Sequence, residues 1–235
     1  MSNPNLDDVD FDAVYRGNSI AEGTQVIPWD VGGPQPRVVE LAEAGEIGGK
    51  VLDAGCGLGD NALFLASRGF DVTGVDGAPT AIAKAAEKAK ERGLDAEFVV
   101  ADATKLEGFE NRFDTVLDSA LYHVFDDNQK RAYVRALGRA CRPGATLHLF
   151  CADAAASGLP IPHPDDEQSL RAAFSQGWRV TRLKRTEYST AFTMDTIEQI
   201  RESWPEAAEA MRKVGADEQG RIQLPVWHLT AVREP

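Results

Sequence analysis

Residues 50–76 read Lys50-Val51-Leu52-Asp53-Ala54-Gly55-Cys56-Gly57-Leu58-Gly59-Asp60-Asn61, then an apolar helical pattern, then Val72-Thr73-Gly74-Val75-Asp76. A short apolar run breaks into alternating glycines, restarts as a helix over residues 61–67, and is followed by a second apolar run that ends on an acid. This is the pattern of a βαβ unit that holds a nucleoside. Gly55, Gly57 and Gly59 lack a Cβ, so the turn accepts positive φ and lets the backbone approach a ligand closely. The helix that follows aims its free N–H groups over that turn. Asp76 stands 17 residues after Gly59, near the spacing at which a carboxylate closing the second strand accepts both hydroxyls of an unphosphorylated ribose.

Two cofactor classes compete for these residues. Gly57-Leu58-Gly59-Asp60-Asn61-Ala62 satisfies the loose G-x-G-x-x-G/A pattern of a dinucleotide fold, which is a weak match on its own. Three features pull the other way. Asp53, two residues before the first glycine, would repel a pyrophosphate and welcome a cationic amino-acid tail. The glycines run G-x-G-x-G, and Asp60 adds a second acid where phosphate oxygens would have to lie.

The stretch Leu52-Asp53-Ala54-Gly55-Cys56-Gly57-Leu58-Gly59 resembles the first motif of the class I S-adenosylmethionine-dependent methyltransferases, and Leu137-Gly138-Arg139-Ala140-Cys141-Arg142-Pro143-Gly144 is similar to their late motif, with Ala145 where a second glycine is common. The resemblance implies a doubly wound, Rossmann-like α/β fold with a seven-stranded, mostly parallel sheet and an antiparallel last strand. It implies S-adenosylmethionine as cofactor, S-adenosylhomocysteine as product, and no metal. Gly55, Cys56, Gly57, Gly59 and Asn61 would then surround the cofactor backbone, with Asp53 at its ammonium, Asp76 and Gly77 at its ribose, and Asp102 and Ala103 at its adenine. Asp118 and Ser119, ending the fourth strand, would lie beside the transferred methyl group.

The rest of the composition sets outer bounds. A chain of 235 residues suits one ample core, read here as an N-terminal arm or lid over 1–34 and a methyltransferase domain over 35–235. A net charge of −12 argues against a nucleic-acid substrate, since most of the surface would repel phosphates, and favours a small neutral or apolar one. Cys56, Cys141 and Cys151 have neither metal-site spacing nor an even disulfide framework, which makes a reducing cytoplasm the expected compartment. No run approaches transmembrane length, and residues 1–10 lack the apolar core of a signal peptide.

Along the chain, Phe11, Val14 and Tyr15 share a helical face, and Ile27-Pro28-Trp29-Asp30-Val31-Gly32-Gly33-Pro34-Gln35-Pro36 forbids regular structure. Trp29 reads either as a plug beneath that loop or, with Tyr15, as an aromatic wall at the cofactor mouth. Helices are expected over 36–44, 81–92 and 128–141, and strands over 96–100, 113–118 and 145–150. Beyond Trp178 a basic β run, helices over 195–201 and 205–214, and a final strand over 224–232 complete the pattern. An exposed edge in 178–188 would allow a homodimer, and nothing else in the chain chooses between that and a monomer.

Asp102 ends the third strand, where ligands collect in open α/β sheets; the competing reading is a helix cap or loop carboxylate. Asp118, Ser119, Tyr122 and His123 follow the fourth strand, and chemistry is expected there. Methyl transfer to oxygen or sulfur needs alignment and loss of a proton, and His123 has the ordinary pKa for taking it. His123 would be that base or would orient the acceptor, with Tyr15 and Tyr122 beside it; the competing reading is a histidine packed against Tyr122. His148 and His228 alternate within apolar strands and read as satisfied core residues. The loop over 160–167 reads as a lid or a solvated turn.

The Pro28-Trp29-Asp30 stretch ahead of the glycines is similar to thiol, halide and thiopurine-type methyltransferases, and more closely to actinobacterial methyltransferases of hydroxyquinolones and related heteroaromatic toxins. That similarity implies O-methylation of a small heteroaromatic or phenolic acceptor as a detoxifying step. S-methylation of small thiols is the alternative. A non-catalytic protein that only binds S-adenosylmethionine is the alternative of another class.

Overall fold

The computed structural model describes residues 9–156 and 158–235. A short helix α1 (Phe11–Tyr15) and helix α2 (Pro36–Glu43) lead into β1 (Lys50–Ala54), α3 (Asp60–Ser67), β2 (Asp71–Asp76), α4 (Pro79–Arg92), β3 (Glu97–Val100) and β4 (Phe113–Ser119). After a single 3-10 turn at Tyr122–Val124 come α5 (Asp127–Ala140), β5 (Cys141–Ala152), α6 (Glu167–Ala173), β6 (Trp178–Thr193), α7 (Met194–Ile200), α8 (Pro205–Met211) and β7 (Arg221–Arg233). The seven strands lie in the order β3-β2-β1-β4-β5-β7-β6. β1 to β5 are mutually parallel, and β7 is antiparallel to both β5 and β6. This is the doubly wound sheet expected from the sequence.

Local chemistry accounts for the breaks. Gly59 caps α3 in the left-handed region at φ 79°, a conformation that costs a glycine nothing. Asp126 and Gln129 close a capping box on α5. Pro79 opens α4, and Gly93 ends it at φ 63°.

Side chains alternate across the sheet with period two, and that parity positions the site. On one face Leu52, Ala54, Val116, Leu147 and Leu149 pack beneath α5 with Tyr133, Leu137 and Trp178. On the other, Val51, Val72, Leu117 and Phe150 pack against Val38 and Leu41 of α2 and Leu65 of α3, with Tyr188 and Val226 from the last two strands. A third cluster gathers Ala21 of the N-terminal arm with Phe192, Ile197, Trp204, Met211 and Ile222 at the C-terminal end of the sheet. β6 is the sheet edge, as expected, but Trp178 at its start is buried under α5 and is no part of an exposed dimer surface.

The arm is fastened at both ends. The Thr80 N–H donates to Asp12 Oδ1 at 2.7 Å and Lys84 Nζ donates to the Tyr15 carbonyl at 2.5 Å, which ties α1 to α4. The Ala191 N–H donates to the Pro28 carbonyl at 2.8 Å, which ties the loop to β6.

Candidate active site

β1 lies between β2 and β4, and the chain reverses its direction of growth there. In open α/β sheets ligands bind beyond the carboxyl ends of the strands at such a switch point. A cleft of about 680 Å³ opens at that place. One end is polar, with Gly55, Asp76, Gly77, Asp102 and Ala103; the other is apolar, with Ile20, Phe192, Trp204, Met211 and Ile222. Tyr15, Trp29, Ser119, His123 and Tyr188 stand between. A narrow extension of about 50 Å³ continues past Trp29, Ser119 and Tyr188 along Cys56, Gly57 and Asn61. A larger depression of about 990 Å³ between α5, α6 and β7 has none of the glycine loop in its lining and is remote from this chemistry.

The glycine loop is shaped by need. A Cβ on Gly57, at φ 52°, would lie 2.7 Å from the Tyr15 hydroxyl, and one on Gly55, at φ 70°, would lie 2.9 Å from Leu121. Asp76 braces the loop: its Oδ2 accepts from the Gly57 N–H at 2.9 Å and its Oδ1 from the Ala78 N–H at 2.8 Å. A carboxylate can accept about four hydrogen bonds, so capacity remains for ligand hydroxyls. Burial raises its pKa, against the pull of those N–H groups.

Behind the loop, two buried acceptors lack partners. Asp53 is wholly buried with no hydrogen bond completed to either carboxylate oxygen, and Gln35 Oε1 is also unpartnered. Both adjoin the first turn of α3: the Gln35 N–H donates to Asn61 Oδ1 at 2.9 Å, and the Ala62 N–H favours the charged form of Asp53. Burial pushes the Asp53 carboxyl up to about 7, with the Asp118 and Asp76 charges adding to it. A buried unpaired acceptor is costly by about 1–3 kcal/mol, more when charged, and a cation placed here would relieve it. The site therefore fits S-adenosylmethionine, whose amino-acid end brings an ammonium and whose ribose brings two hydroxyls.

The surroundings of four expected residues bear on their roles. Asp118 shares the Val116 face of β4 rather than the Ser119 face, so it points beneath α5 and does not line the cleft. Its Oδ2 accepts from the Tyr133 hydroxyl at 2.9 Å and its Oδ1 from the Leu121 N–H at 2.8 Å, which makes it the anchor of the turn after β4. Burial holds its carboxyl up at about 7. Tyr122 likewise turns into the core, with its ring 5.8 Å from Phe174 and 6.3 Å from Tyr133, and is absent from the cleft lining. Asp102 reaches the cleft, but Oδ1 accepts from the Thr104 N–H at 2.9 Å and Oδ2 pairs with Lys105 at 3.0 Å, the loop-carboxylate arrangement.

His123 is the fourth. It lines the cleft, but its Nδ1 accepts from the Ala152 N–H at 3.2 Å, and burial with the Lys130 charge lowers its pKa to about 4. It is a poor base in this setting.

Other expected residues do meet. The Trp29 Nε1–H donates to the Tyr15 hydroxyl at 2.9 Å, so the two aromatic side chains form one wall. Ser119 Oγ and the Tyr188 hydroxyl lie 2.9 Å apart. His148 and His228 are buried and paired at 3.3 Å, as expected of core residues. Pro160, Ile161 and Pro162 of the 160–167 loop line the cleft, and the His163 N–H donates to the His123 carbonyl at 3.0 Å, which ties the loop to the turn after β4. Among the described residues no cluster of three or more metal-ligating side chains occurs. Gln35, Tyr188 and the apolar end were missed; Tyr188 lies 69 residues from its partner Ser119, and no local pattern joins them.

Known proteins fall into line with this geometry. The methyltransferase domain family matches residues 51–144. The 2-heptyl-1-hydroxyquinolin-4(1H)-one methyltransferase of Mycobacteroides abscessus is 41% identical over 179 residues, 75% of this chain and 78% of that protein. A solved structure described as the conversion of a disulfide bond into a thioacetal group during echinomycin biosynthesis is 39% identical, with a TM-score of 0.77 over 95% of this chain and 91% of the other. The fold alone is shared with the 1,6-didemethyltoxoflavin N1-methyltransferase of Burkholderia thailandensis bound to S-adenosylhomocysteine, at 19% identity and a TM-score of 0.58 over 85% and 77% of the two chains. With its G-x-G-x-G loop, its strand order and these relatives, the chain belongs to the class I S-adenosylmethionine-dependent methyltransferases.

Proposed function

We propose that the protein methylates an acidic hydroxyl on a small heteroaromatic or phenolic acceptor of the 1-hydroxyquinolin-4-one kind. The observation that carries this reading is the single cleft that runs from the glycine loop and Asp76 to an apolar end at Phe192, Trp204 and Met211. A flat, largely apolar acceptor fits such an end, and the 41%-identical relative is named for an acceptor of that chemistry. Capping an acidic hydroxyl removes its charge and its proton, a chemistry suited to detoxification.

Placement in and behind the cleft supports these residue roles. Asp53 and Gln35 hold the ammonium, Asp76 accepts from the ribose hydroxyls, and Asp102 with Ala103 borders the adenine. Tyr15 and Trp29 wall the junction between cofactor and acceptor, and the 160–162 roof excludes water. When bound, S-adenosylmethionine supplies a methyl carbon on a sulfonium. The protein supplies alignment of the acceptor atom with that carbon, where good orientation alone is worth several kcal/mol.

A sulfur acceptor is the second reading, favoured by the 39%-identical structure whose description concerns a disulfide becoming a thioacetal. Incubation with S-adenosylmethionine and a panel of hydroxyquinolones, phenols and thiols, read by S-adenosylhomocysteine formation and product mass, separates the two. Asp76→Ala is expected to weaken S-adenosylhomocysteine by at least about 100-fold by calorimetry, the loss of two hydrogen bonds to a charged group. Turnover of thiols alone would overturn the oxygen reading.

A further inference from the structure

His123 carries more information than its presence in the cleft. Its Nδ1 already accepts the Ala152 N–H at 3.2 Å, so the neutral ring carries its proton on Nε2. A ring in that tautomer offers an N–H and cannot take a proton at Nε2. Tyr15 is similar: its oxygen already accepts from Trp29 Nε1, which leaves the hydroxyl proton to be donated.

The remaining titratable groups of the cleft are engaged or remote from the apolar end. Asp10 caps α1 by accepting the Ala13 N–H at 3.0 Å, Asp12 accepts the Thr80 N–H, and Asp76 and Asp102 are bound at the polar end. Tyr188 shares its hydroxyl with Ser119. From the neighbouring elements, Lys130 of α5 and His163 of the roof act on His123 as positive charges, and the Lys130 ammonium is held by Asp165 and the His163 carbonyl. Each of these contacts opposes a second positive charge on the imidazole, in agreement with its lowered pKa of about 4.

We infer that the described residues of the cleft provide no general base, and that the acceptor enters as its anion with its charged atom held by the His123 Nε2–H. This rests on the proposed acceptor class and narrows it to hydroxyls, or thiols, acidic enough to be ionised in solution. Aliphatic alcohols are outside that class. The proton leaves to water before binding. A lone pair of the acceptor oxygen then forms the O–C bond as the C–S bond breaks, and the C–S electrons stay on sulfur; no proton moves in that step.

The test is the pH dependence of kcat/KM for several ring-substituted hydroxyquinolones and phenols of graded acidity, with wild type, His123→Gln and His123→Leu. The inflection is expected to move with each acceptor's own pKa in all three proteins. His123→Gln retains a donor and cannot act as a base, so it is expected to stay within about tenfold of wild type, while His123→Leu loses about 10–100-fold with an unchanged profile. An inflection fixed at one pH for every acceptor and abolished by His123→Gln would overturn the inference. So would efficient turnover of a high-pKa alcohol. S-adenosylhomocysteine binding by calorimetry confirms that each variant is folded. Turnover of thiols alone, with a profile that follows thiol acidity, would remove the oxygen reading and leave the anionic-acceptor inference standing.

Discussion

Asp53 links cofactor binding to pH. In the unfolded chain its carboxyl ionises near 3.8, and in the fold burial holds it neutral up to about 7. Folding therefore takes up a proton between about pH 4 and pH 7, so stability falls as pH rises through that window and levels off above it. Asp118 adds a slope of the same sign. Asp53→Asn is expected to raise the thermal midpoint of the ligand-free protein by several degrees at pH 8, on the order of a few kcal/mol, with the gain shrinking toward pH 4. Midpoints measured across that range check it, and a gain independent of pH would show that Asp53 is not held neutral. The bound ammonium reverses the preference, so affinity for S-adenosylhomocysteine should rise from pH 6 to pH 8 in wild type and not in Asp53→Asn.

At the scale of elements, α1 is only five residues long, too short to persist alone, and its order comes from its ties to α4. Asp12→Ala removes the acceptor for the Thr80 N–H. Residues 11–15 should then exchange their amide hydrogens about tenfold faster and KM should rise severalfold, while the global midpoint moves by less than about 2 °C. Unchanged exchange would mean that α1 is held chiefly by the packing of Tyr15 and Phe11 with Trp29, Ala78 and Ala81.

Most of these elements were legible in the sequence because glycine and proline punctuate them, and the G-x-G-x-G turn identified the cofactor class. The faces of β4 were not. Val116 and Leu117 are both apolar because the strand is buried on both sides, so no alternation indicates whether Asp118 or Ser119 faces the cleft. Tyr122 lies in the 3-10 turn beyond the strand, too short for any period to tell core from cleft. The pairing that spoils His123 as a base comes from the Ala152 backbone, 29 residues away, and leaves no trace in the sequence around it. α6 was missed because its seven residues follow a proline-rich loop and bury only Leu170 fully.

For the whole molecule, one cofactor class predicts a single thermal response. At one hundred times its Kd, S-adenosylhomocysteine should add about 2.7 kcal/mol of stability, a shift of roughly 5–10 °C for a chain of this size. NAD at the same concentration should add nothing; an equal shift with NAD would restore the dinucleotide reading of the same glycines. The edge strand β6 carries Arg179, Arg182, Lys184 and Arg185 along its length, charges that discourage pairing with a second sheet.

The Pro28 carbonyl meets the Ala191 N–H across 163 residues, so a segment that precedes the sheet is fixed by one made after most of it. During translation β1 to β4 can pair as they emerge, while the mouth of the site stays open until β6 has left the ribosome. A nascent chain thus acquires its sheet well before it acquires a closed reaction chamber.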